Sequence, residues 1–288
     1  MPDPDPRGSG GAMLDARARQ ALCATRFGDV RWLDEVGSTN AHVMAFAEAG
    51  ASEGLVVVAD HQVAGRGRLG RSWEEPPGSS LLASILLRPG LDPEHLHLAT
   101  VVVALAASDA CASEAGLEVD LKWPNDLLLD GDKVAGVLAQ VTGDAVVVGI
   151  GMNVNWPPNA GLPANAGLPP GAGLPANAGL PANAGLPPGA TALNRHAAAG
   201  DLDRAGLLVA LLVSLEARRA ALDEASGRAA QAGEYRRRCA TVGRPVRVQL
   251  ADETFTGVAA DITPEGALLV EVGTCLRLVS AADVIHLR

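Results

Sequence analysis

The sequence predicts an α+β fold, in which a mixed α and β core precedes a small β-barrel. Runs of β-branched and aliphatic residues, typical of buried strands, alternate with longer segments of helical periodicity. Hydrophobic residues make up 48% of the 288-residue chain and charged residues 19%, which is enough apolar material for a sizeable core. After Val242 the pattern changes to short alternating strands separated by Gly, Asp and Pro turns, which is typical of a separate all-β unit.

The core elements are predicted in chain order between residues 13 and 240. Residues 1–12, rich in Pro, Gly and Asp, are expected to be a disordered tail. The predicted helices are 13–23, 38–50, 96–115, 201–221 and 225–238. The predicted strands are 30–36, 55–59, 80–87, 127–129, 134–140 and 146–150. A Gly-Asp turn joins 127–129 and 134–140 as a hairpin.

Residues 159–190 repeat Asn-Ala-Gly-Leu-Pro-Ala and its variants with a period of six, and Gly-Leu-Pro recurs five times. Proline at this spacing blocks regular helix and strand pairing, and the repeat buries too little to offset chain entropy. We therefore expect a flexible insertion in the core domain. A hexapeptide β-helix is the alternative, against which the single leucine anchors and the regular proline both argue.

The last fifty residues predict the small barrel, as a domain spanning 242–288. Five short strands alternate apolar and polar residues there. They are 246–250, 254–262, 267–272, 276–279 and 284–287. So many short strands in so few residues favour a barrel over an open sheet.

Charge and composition exclude several classes of function. Thirty-three acidic and twenty-three basic residues give a formal net charge of -10, so we expect no nucleic-acid partner bound by bulk charge. The N-terminus has no apolar signal region, and the sequence contains no uninterrupted run of about 18 apolar residues. We therefore expect no membrane partner. We expect a soluble, cytoplasmic protein. The four cysteines lack any C-x-x-C spacing and predict buried, reduced thiols instead of a zinc site.

Lysine is rare in this chain. Of the twenty-three basic residues, only Lys122 and Lys133 are lysine and the rest are arginine. This bias suggests that both positions require a compact ammonium instead of a planar guanidinium. Chance retention on a solvated face is the alternative.

The most informative motif is Gly-Arg-Gly-Arg-Leu-Gly-Arg at residues 65–71, here called the Gly/Arg loop, which Trp73 follows. Its arginine forks and backbone N–H groups can surround an anion, and its glycines let the backbone approach a ligand. This combination favours a polyphosphate ligand. RNA binding is the alternative. It is less favoured because the Gly/Arg loop occurs only once and the protein is acidic.

Two further segments suggest the same chemistry. Lys122-Trp-Pro-Asn125-Asp126 places a cation, an amide and a carboxylate close together, and Lys133-x-x-Gly136 follows across the hairpin. The segment 149–155 ends an apolar strand in glycines and places Asn153 where its amide could bind an adenine edge. Each segment also has a purely structural explanation, as turn formers, an exposed charge or a strand end.

Together with Ser38-Thr39-Asn40, these motifs resemble, in this order, the biotin protein ligases. The resemblance is specific over residues 30–154 and looser over 192–288. It implies a mixed sheet with helices related to class II aminoacyl-tRNA synthetases, followed by an SH3-like barrel. It also implies an enzyme that makes biotinyl-5'-AMP from biotin and ATP with Mg²⁺. Biotin would then pass to one lysine of the biotin carboxyl carrier domain of acetyl-CoA carboxylase or of a related biotin-dependent carboxylase.

The resemblance also implies which residues form the site. The expected biotin contacts are Ser38, Thr39, Asn40, Gln62, Gly65, Arg66, Gly67, Arg68, Lys122 and Gly136. The expected ATP contacts are Arg68, Arg71, Trp73, Lys122, Asn125, Lys133 and Asn153. Because adenylation builds negative charge on phosphoryl oxygens, Arg68, Arg71 and Lys122 are expected to stabilise it as the catalytic residues. Asp126 is the nearest carboxylate for Mg²⁺.

One branch of this family carries an N-terminal DNA-binding domain, for which the residues before Ser38 are too few. We therefore expect the monofunctional type. A lipoate-protein ligase uses a related fold and the same adenylation, and is one alternative function. The other is a non-catalytic sensor that binds biotin or a nucleotide.

Overall fold

The computed structural model describes residues 14–156 and 185–287. The predicted tail at 1–12 and residues 159–184 of the repeat lie outside the described residues. The described end of the repeat contacts the core, because the Lys133 N–H donates to the Gly189 carbonyl oxygen at 2.8 Å. The Thr191 N–H donates in turn to the Lys133 carbonyl oxygen at 2.9 Å. The chain therefore re-enters the fold beside Lys133.

A seven-stranded mixed sheet forms the centre of the core. Its strands are β1 Val30–Val36, β2 Val56–Gln62, β3 Ser80–Leu87, β4 Asp120–Lys122, β5 Asp126–Leu129, β6 Asp132–Thr142 and β7 Ala145–Asn153. Their order is β1-β2-β3-β7-β6-β5-β4, in which β1 and β2 are parallel and the other neighbours are antiparallel. Several strands extend beyond the predicted apolar runs, because backbone pairing continues through polar residues such as Gln62 and Asn153.

Helices cover both faces of this sheet. They are α1 Ala16–Leu22, α2 Thr39–Glu48, α3 His97–Ala110, α4 Arg204–Ala221 and α5 Ala225–Arg238. Val43 and Ala47 of α2 pack against Val57 and Val147 on one face, while α3 and α4 contribute to the larger core on the other face. The predicted α+β class is confirmed, and each helix lies within a predicted helical segment.

The segment Pro93–Ala115, which includes α3, is long and apolar enough to cross a membrane, with a mean hydropathy of 1.6. About two thirds of that stretch, 67%, is buried inside the protein. Its apolar character is therefore explained by packing in the core, where Val102 and Leu105 are fully covered.

The C-terminal residues form a separate five-stranded antiparallel sheet, as the pattern after Val242 predicts. Its strands are β8 Pro245–Gln249, β9 Thr254–Ile262, β10 Leu268–Val272, β11 Cys275–Val279 and β12 Asp283–His286, in the order β11-β10-β9-β8-β12. The Trp123 indole N–H donates to the Gly266 carbonyl oxygen at 2.9 Å and ties this sheet to the core. The prediction of four buried thiols was wrong for Cys23 and Cys275, which are exposed.

Candidate active site

A cleft of about 810 Å³ lies between the start of α2, the middle of the sheet and the Gly/Arg loop. We call it the main cleft. Thirteen of the residues predicted from the sequence line it. They are Ser38, Thr39, Asn40, Gln62, Arg66, Gly67, Arg68, Arg71, Trp73, Asn125, Asp126, Lys133 and Gly136. The fold thus gathers side chains from four separate motifs around one cavity.

The Gly/Arg loop closes on itself in the structure. Gly67 N–H donates to the Arg71 carbonyl oxygen at 2.7 Å, and Trp73 N–H donates to the Gly65 carbonyl oxygen at 3.0 Å. A Cβ atom on Gly65 would lie 2.4 Å from the Trp73 carbonyl oxygen, so only glycine allows this closure. Gly65 therefore supports the loop without lining the main cleft. Leu69, at the loop tip, is exposed and has a positive φ of 57°.

Two glycines on β7 make room for the side chains that cover the sheet. Gly149 and Gly151 lie two residues apart and so face the same side of the strand. A Cβ atom on Gly149 would lie 2.1 Å from Asn40 Oδ1, and one on Gly151 would lie 2.7 Å from the Trp73 indole. The glycines at the end of this strand are thus required by close packing of Asn40 and Trp73.

A buried hydrogen-bond network forms the end of the main cleft near α2. Asn40 Nδ2 donates to the Leu138 carbonyl oxygen at 3.1 Å and to Gln140 Oε1 at 2.9 Å. Ser84 Oγ lies 2.6 Å from Asn40 Oδ1, to which it donates, and 2.8 Å from Thr39 Oγ1. Sequence reasoning missed Ser84, because a serine inside an apolar run carries no motif signal.

Asp126 lies between the two lysines of the chain. Its Oδ1 is 2.6 Å from Lys133 Nζ, and its Oδ2 is 3.9 Å from Lys122 Nζ. Lys133 Nζ also lies 5.8 Å from the centre of a Trp73 ring, within reach of a cation–π contact. Lys122 is not among the residues that line the main cleft and stands behind Asp126. The carboxylate therefore holds both ammonium groups in one region.

Two of the three arginines of the loop, Arg68 and Arg71, are held by the core and by the C-terminal sheet. Arg68 Nη1 donates to Asn125 Oδ1 at 3.1 Å and to the Ala282 carbonyl oxygen at 3.4 Å. Arg71 forms an ion pair with Asp283 of β12. The hydrogen bond from Arg71 lowers the pKa of Asp283, which keeps this carboxylate charged. Burial lowers the pKa of Arg68, and the charge of Asp126 opposes that effect.

A second cleft of about 580 Å³ lies on the other side of Trp73, and we call it the Trp156 cleft. It is lined by Trp73, Lys133, Asn153, Trp156 and the segment 187–190. Asn153 lies here instead of in the main cleft, and its Nδ2 donates to the Thr191 carbonyl oxygen at 2.9 Å. The indole nitrogens of Trp73 and Trp156 are buried without a hydrogen-bond partner in the described part of the chain.

Trp73 and Lys133 line both clefts. One molecule bound in the main cleft and a second bound in the Trp156 cleft would therefore come into contact beside Lys133. The cations gathered at that point are suited to stabilising charge that develops on a phosphoryl group.

Comparison with known proteins agrees with this geometry. Residues 35–155 match the Biotin/lipoate A/B protein ligase family, and residues 241–287 match the Biotin protein ligase C terminal domain. The chain is 35% identical over 260 residues to a biotin–acetyl-CoA-carboxylase ligase of Mycobacterium tuberculosis, covering 88% of this chain and 87% of that protein. The chain belongs to the biotin protein ligases.

Other members support this assignment. The bifunctional ligase/repressor BirA of Bacillus subtilis is 30% identical over 256 residues, which cover 87% of this chain and 72% of that protein. A biotin protein ligase from Aquifex aeolicus, solved in complex with biotin and ATP, has a TM-score of 0.71. It is 27% identical, and the match covers 91% of this chain and 100% of that one. The predicted family, fold and enzymatic function are confirmed, and the alternatives of a lipoate ligase or a sensor are not favoured.

Proposed function

We propose that this biotin ligase joins biotin to ATP where its two clefts meet, with biotin in the main cleft and the nucleotide against Trp73. The observation that carries the proposal is the shared wall of Trp73 and Lys133, beside which Arg68 and Asp126 also lie. A biotin carboxylate at this wall would face the nucleotide's α-phosphate across a short distance.

Biotin has a neutral ureido ring, which needs a few fixed donors and acceptors. The network around Ser38, Thr39, Asn40 and Gln62 supplies them at the closed end of the main cleft. Because Asn40 already bonds Leu138 and Gln140, its orientation is set before biotin binds. Backbone groups at Arg66, Gly67 and Arg68, which line the main cleft, would close over the ring.

The first chemical step is attack by a biotin carboxylate oxygen on the α-phosphorus of ATP. The biotin carboxylate oxygen forms the new bond to the α-phosphorus. The bond between the α-phosphorus and the oxygen that bridges to the β-phosphorus breaks, and pyrophosphate leaves with the electron pair of that bond. Arg68, Arg71 and Lys133, which line the main cleft, are the cations that would stabilise the charge on the phosphoryl oxygens, and Lys122 would act from behind Asp126. Asn125 holds Arg68 in place, and Asp283 holds Arg71.

In the second step the neutral amine of the acceptor lysine attacks the biotinyl carbonyl carbon. A C–N bond forms, the C–O bond to AMP breaks, and the amine loses one proton. No covalent intermediate on an enzyme side chain is required. The proposed acceptor is the biotin carboxyl carrier domain of acetyl-CoA carboxylase or of a related carboxylase, in a cytoplasmic reaction without a nucleic-acid or membrane partner.

Asp126 does not fit a magnesium site held by the protein. Both of its oxygens face ammonium groups, at 2.6 Å and 3.9 Å. The group of three metal-ligand side chains found in the described residues, Asp92, Glu94 and His95, lies just before α3 and does not line either cleft. We propose that Mg²⁺ arrives on the ATP phosphates with water as its other ligands.

The same proposal divides the chain into a catalytic domain at 13–240, with the repeat insertion at 159–190, and a C-terminal domain at 242–288.

The test of the proposed reaction is ATP–pyrophosphate exchange on the purified chain with biotin or lipoate as the acid, followed by transfer to a carrier domain. We expect exchange with biotin alone. Arg68→Gln should lose it, whereas Arg277→Gln, at an exposed ion pair on β11, should keep it. Exchange with lipoate but not biotin would refute the proposal.

A further inference from the structure

A buried carboxyl group lies directly behind the main cleft and has no part in the chemistry above. Glu75 follows Trp73 by two residues, and its side chain is completely covered, with 0% exposure. Its Oε1 accepts the backbone N–H of Gln62 at 3.1 Å. Gln62 is the last residue of β2 and lines the main cleft. Glu75 therefore reaches the cleft through the backbone of Gln62.

Gln62 connects this carboxyl to the start of α2. Its Oε1 accepts the Thr39 N–H at 2.8 Å and the Thr39 hydroxyl at 3.1 Å. On the other side, a Cβ atom on Gly65 would lie 3.2 Å from Gln62 Nε2. The amide of Gln62 is thus packed between Thr39 and the Gly/Arg loop. A shift of its backbone would disturb both.

The second neighbour of Glu75 is His61, whose Nδ1 lies 3.6 Å from Glu75 Oε1. Glu75 Oε2 and His61 Nδ1 are both buried, and neither has a hydrogen-bond partner among the residues that the structure describes. Buried polar atoms are rarely left without a partner, so a carboxylate charge on Glu75 is costly here and a proton on the unpartnered Oε2 would relieve that cost. Burial raises the pKa of Glu75 to about 7, and the charge of the adjacent Glu74 adds to the effect.

We propose that Glu75 is a positioning residue for biotin binding, which with His61 holds Gln62 against Thr39 when ionised and loosens it when protonated. The inference rests on the proposed function, since it takes Gln62 as part of the biotin site. The physical reason is that a carboxylate accepts an N–H hydrogen bond about twice as strongly as a neutral acceptor does. The charged or titratable groups that face Glu75 are His61 from β2 and the adjacent Glu74.

The test is the affinity of the full chain for biotin without ATP, measured by calorimetry between pH 6 and pH 8.5. The biotin carboxylate stays ionised throughout this range, so its own titration does not contribute. We expect the dissociation constant to rise about five-fold as the pH falls from 8 to 6. The reason is that the hydrogen bond from the Gln62 N–H loses its charged acceptor when Glu75 is protonated. The kcat of exchange at saturating biotin should change little.

Glu75→Gln keeps the length of the side chain and an oxygen for the Gln62 N–H, but it cannot titrate. We expect its biotin affinity to be independent of pH over this range. The matched control is Glu118→Gln, at an exposed carboxylate that lines neither cleft, which should keep the wild-type dependence. His61→Asn should move the midpoint of the dependence, a change that a merely structural role would not produce.

Gln62→Ala separates this inference from the proposed function. If Gln62→Ala binds biotin as wild type does, the proposed biotin contact at Gln62 is wrong. If that variant binds weakly but Glu75→Gln keeps the wild-type pH dependence, the role of Glu75 is overturned. A wild-type affinity that does not change with pH overturns it as well, and this measurement does not depend on any variant folding.

Discussion

Replacing Gly149 with alanine tests the close packing behind the biotin site. The new methyl group would lie 2.1 Å from Asn40 Oδ1 and 3.2 Å from Asn40 Nδ2. The strand cannot move away, because β7 is paired with β3 on one side and with β6 on the other. Asn40 must therefore leave its place. Its hydrogen bonds with Leu138, Gln140 and Ser84 would be broken together.

The magnitude follows from that count. Each hydrogen bond contributes about 1 kcal/mol net, so losing three removes about 3 kcal/mol of the stabilisation that holds Asn40 in the orientation that binds biotin. We expect Gly149→Ala to weaken biotin binding about 100-fold, since 1.4 kcal/mol is worth about ten-fold in affinity. Overpacking of the sheet should also lower the free energy of unfolding by about 1–3 kcal/mol.

Calorimetry with biotin and urea denaturation measure the two effects. The control is Gly37→Ala, because a Cβ atom there would meet nothing within 4 Å and the residue does not require a positive φ. That variant should bind biotin and unfold as wild type does. Binding by Gly149→Ala within three-fold of wild type would mean that Asn40 does not orient the ureido ring, and the packing argument would be refuted.

Three further outcomes are expected. Lys133→Arg should lower ATP–pyrophosphate exchange about 100-fold, because the ammonium fits over Gly136 and against Asp126 where a planar guanidinium does not; near-normal exchange would show that any cation suffices. Asp283→Asn should release Arg71 and speed trypsin cleavage of the ligand-free Gly/Arg loop; an unchanged rate would mean that Asp283 does not restrain the loop. The folded-state pKa of Glu75, about 7, exceeds its ordinary 4.5, so its contribution to stability is present at low pH and lost as pH rises through 7. Glu75→Gln should therefore gain up to about 3 kcal/mol in unfolding free energy over wild type between pH 5 and pH 8, measured by urea denaturation. An equal difference at both pH values would contradict the raised pKa.

Much of the fold could be predicted because local rules act within each segment. The extended segment predicted at 30–36 and the apolar run at 80–87 are strands with the same bounds, and Asp203 begins α4 as its N-cap. The strand ends were less predictable. Pairing with neighbours extends β2 and β7 through polar residues that face the site, and a hydropathy pattern does not record which neighbours a strand will have.

The sequence by itself determined the family of the protein and the motifs from which the candidate site is built. The Gly/Arg loop and the two rare lysines indicated an anion and positions for a compact cation, and the resemblance to the biotin protein ligases implied a neutral polar ring at the Ser-Thr-Asn turn. These signals lie in short contiguous motifs, because the residues that contact a ligand must be held at fixed local spacing.

Only the tertiary structure decided which distant residues support those motifs. Asp283 pairs with Arg71 across 212 positions, Ser84 reaches Asn40 from the middle of an apolar strand, and the covered Glu75 contacts Gln62. The structure also moved Asn153 out of the main cleft and placed Lys122 behind Asp126. Burial and pairing between residues this far apart arise from the packing of whole sheets and helices. Because that packing depends on every element at once, no single position in the sequence predicts it.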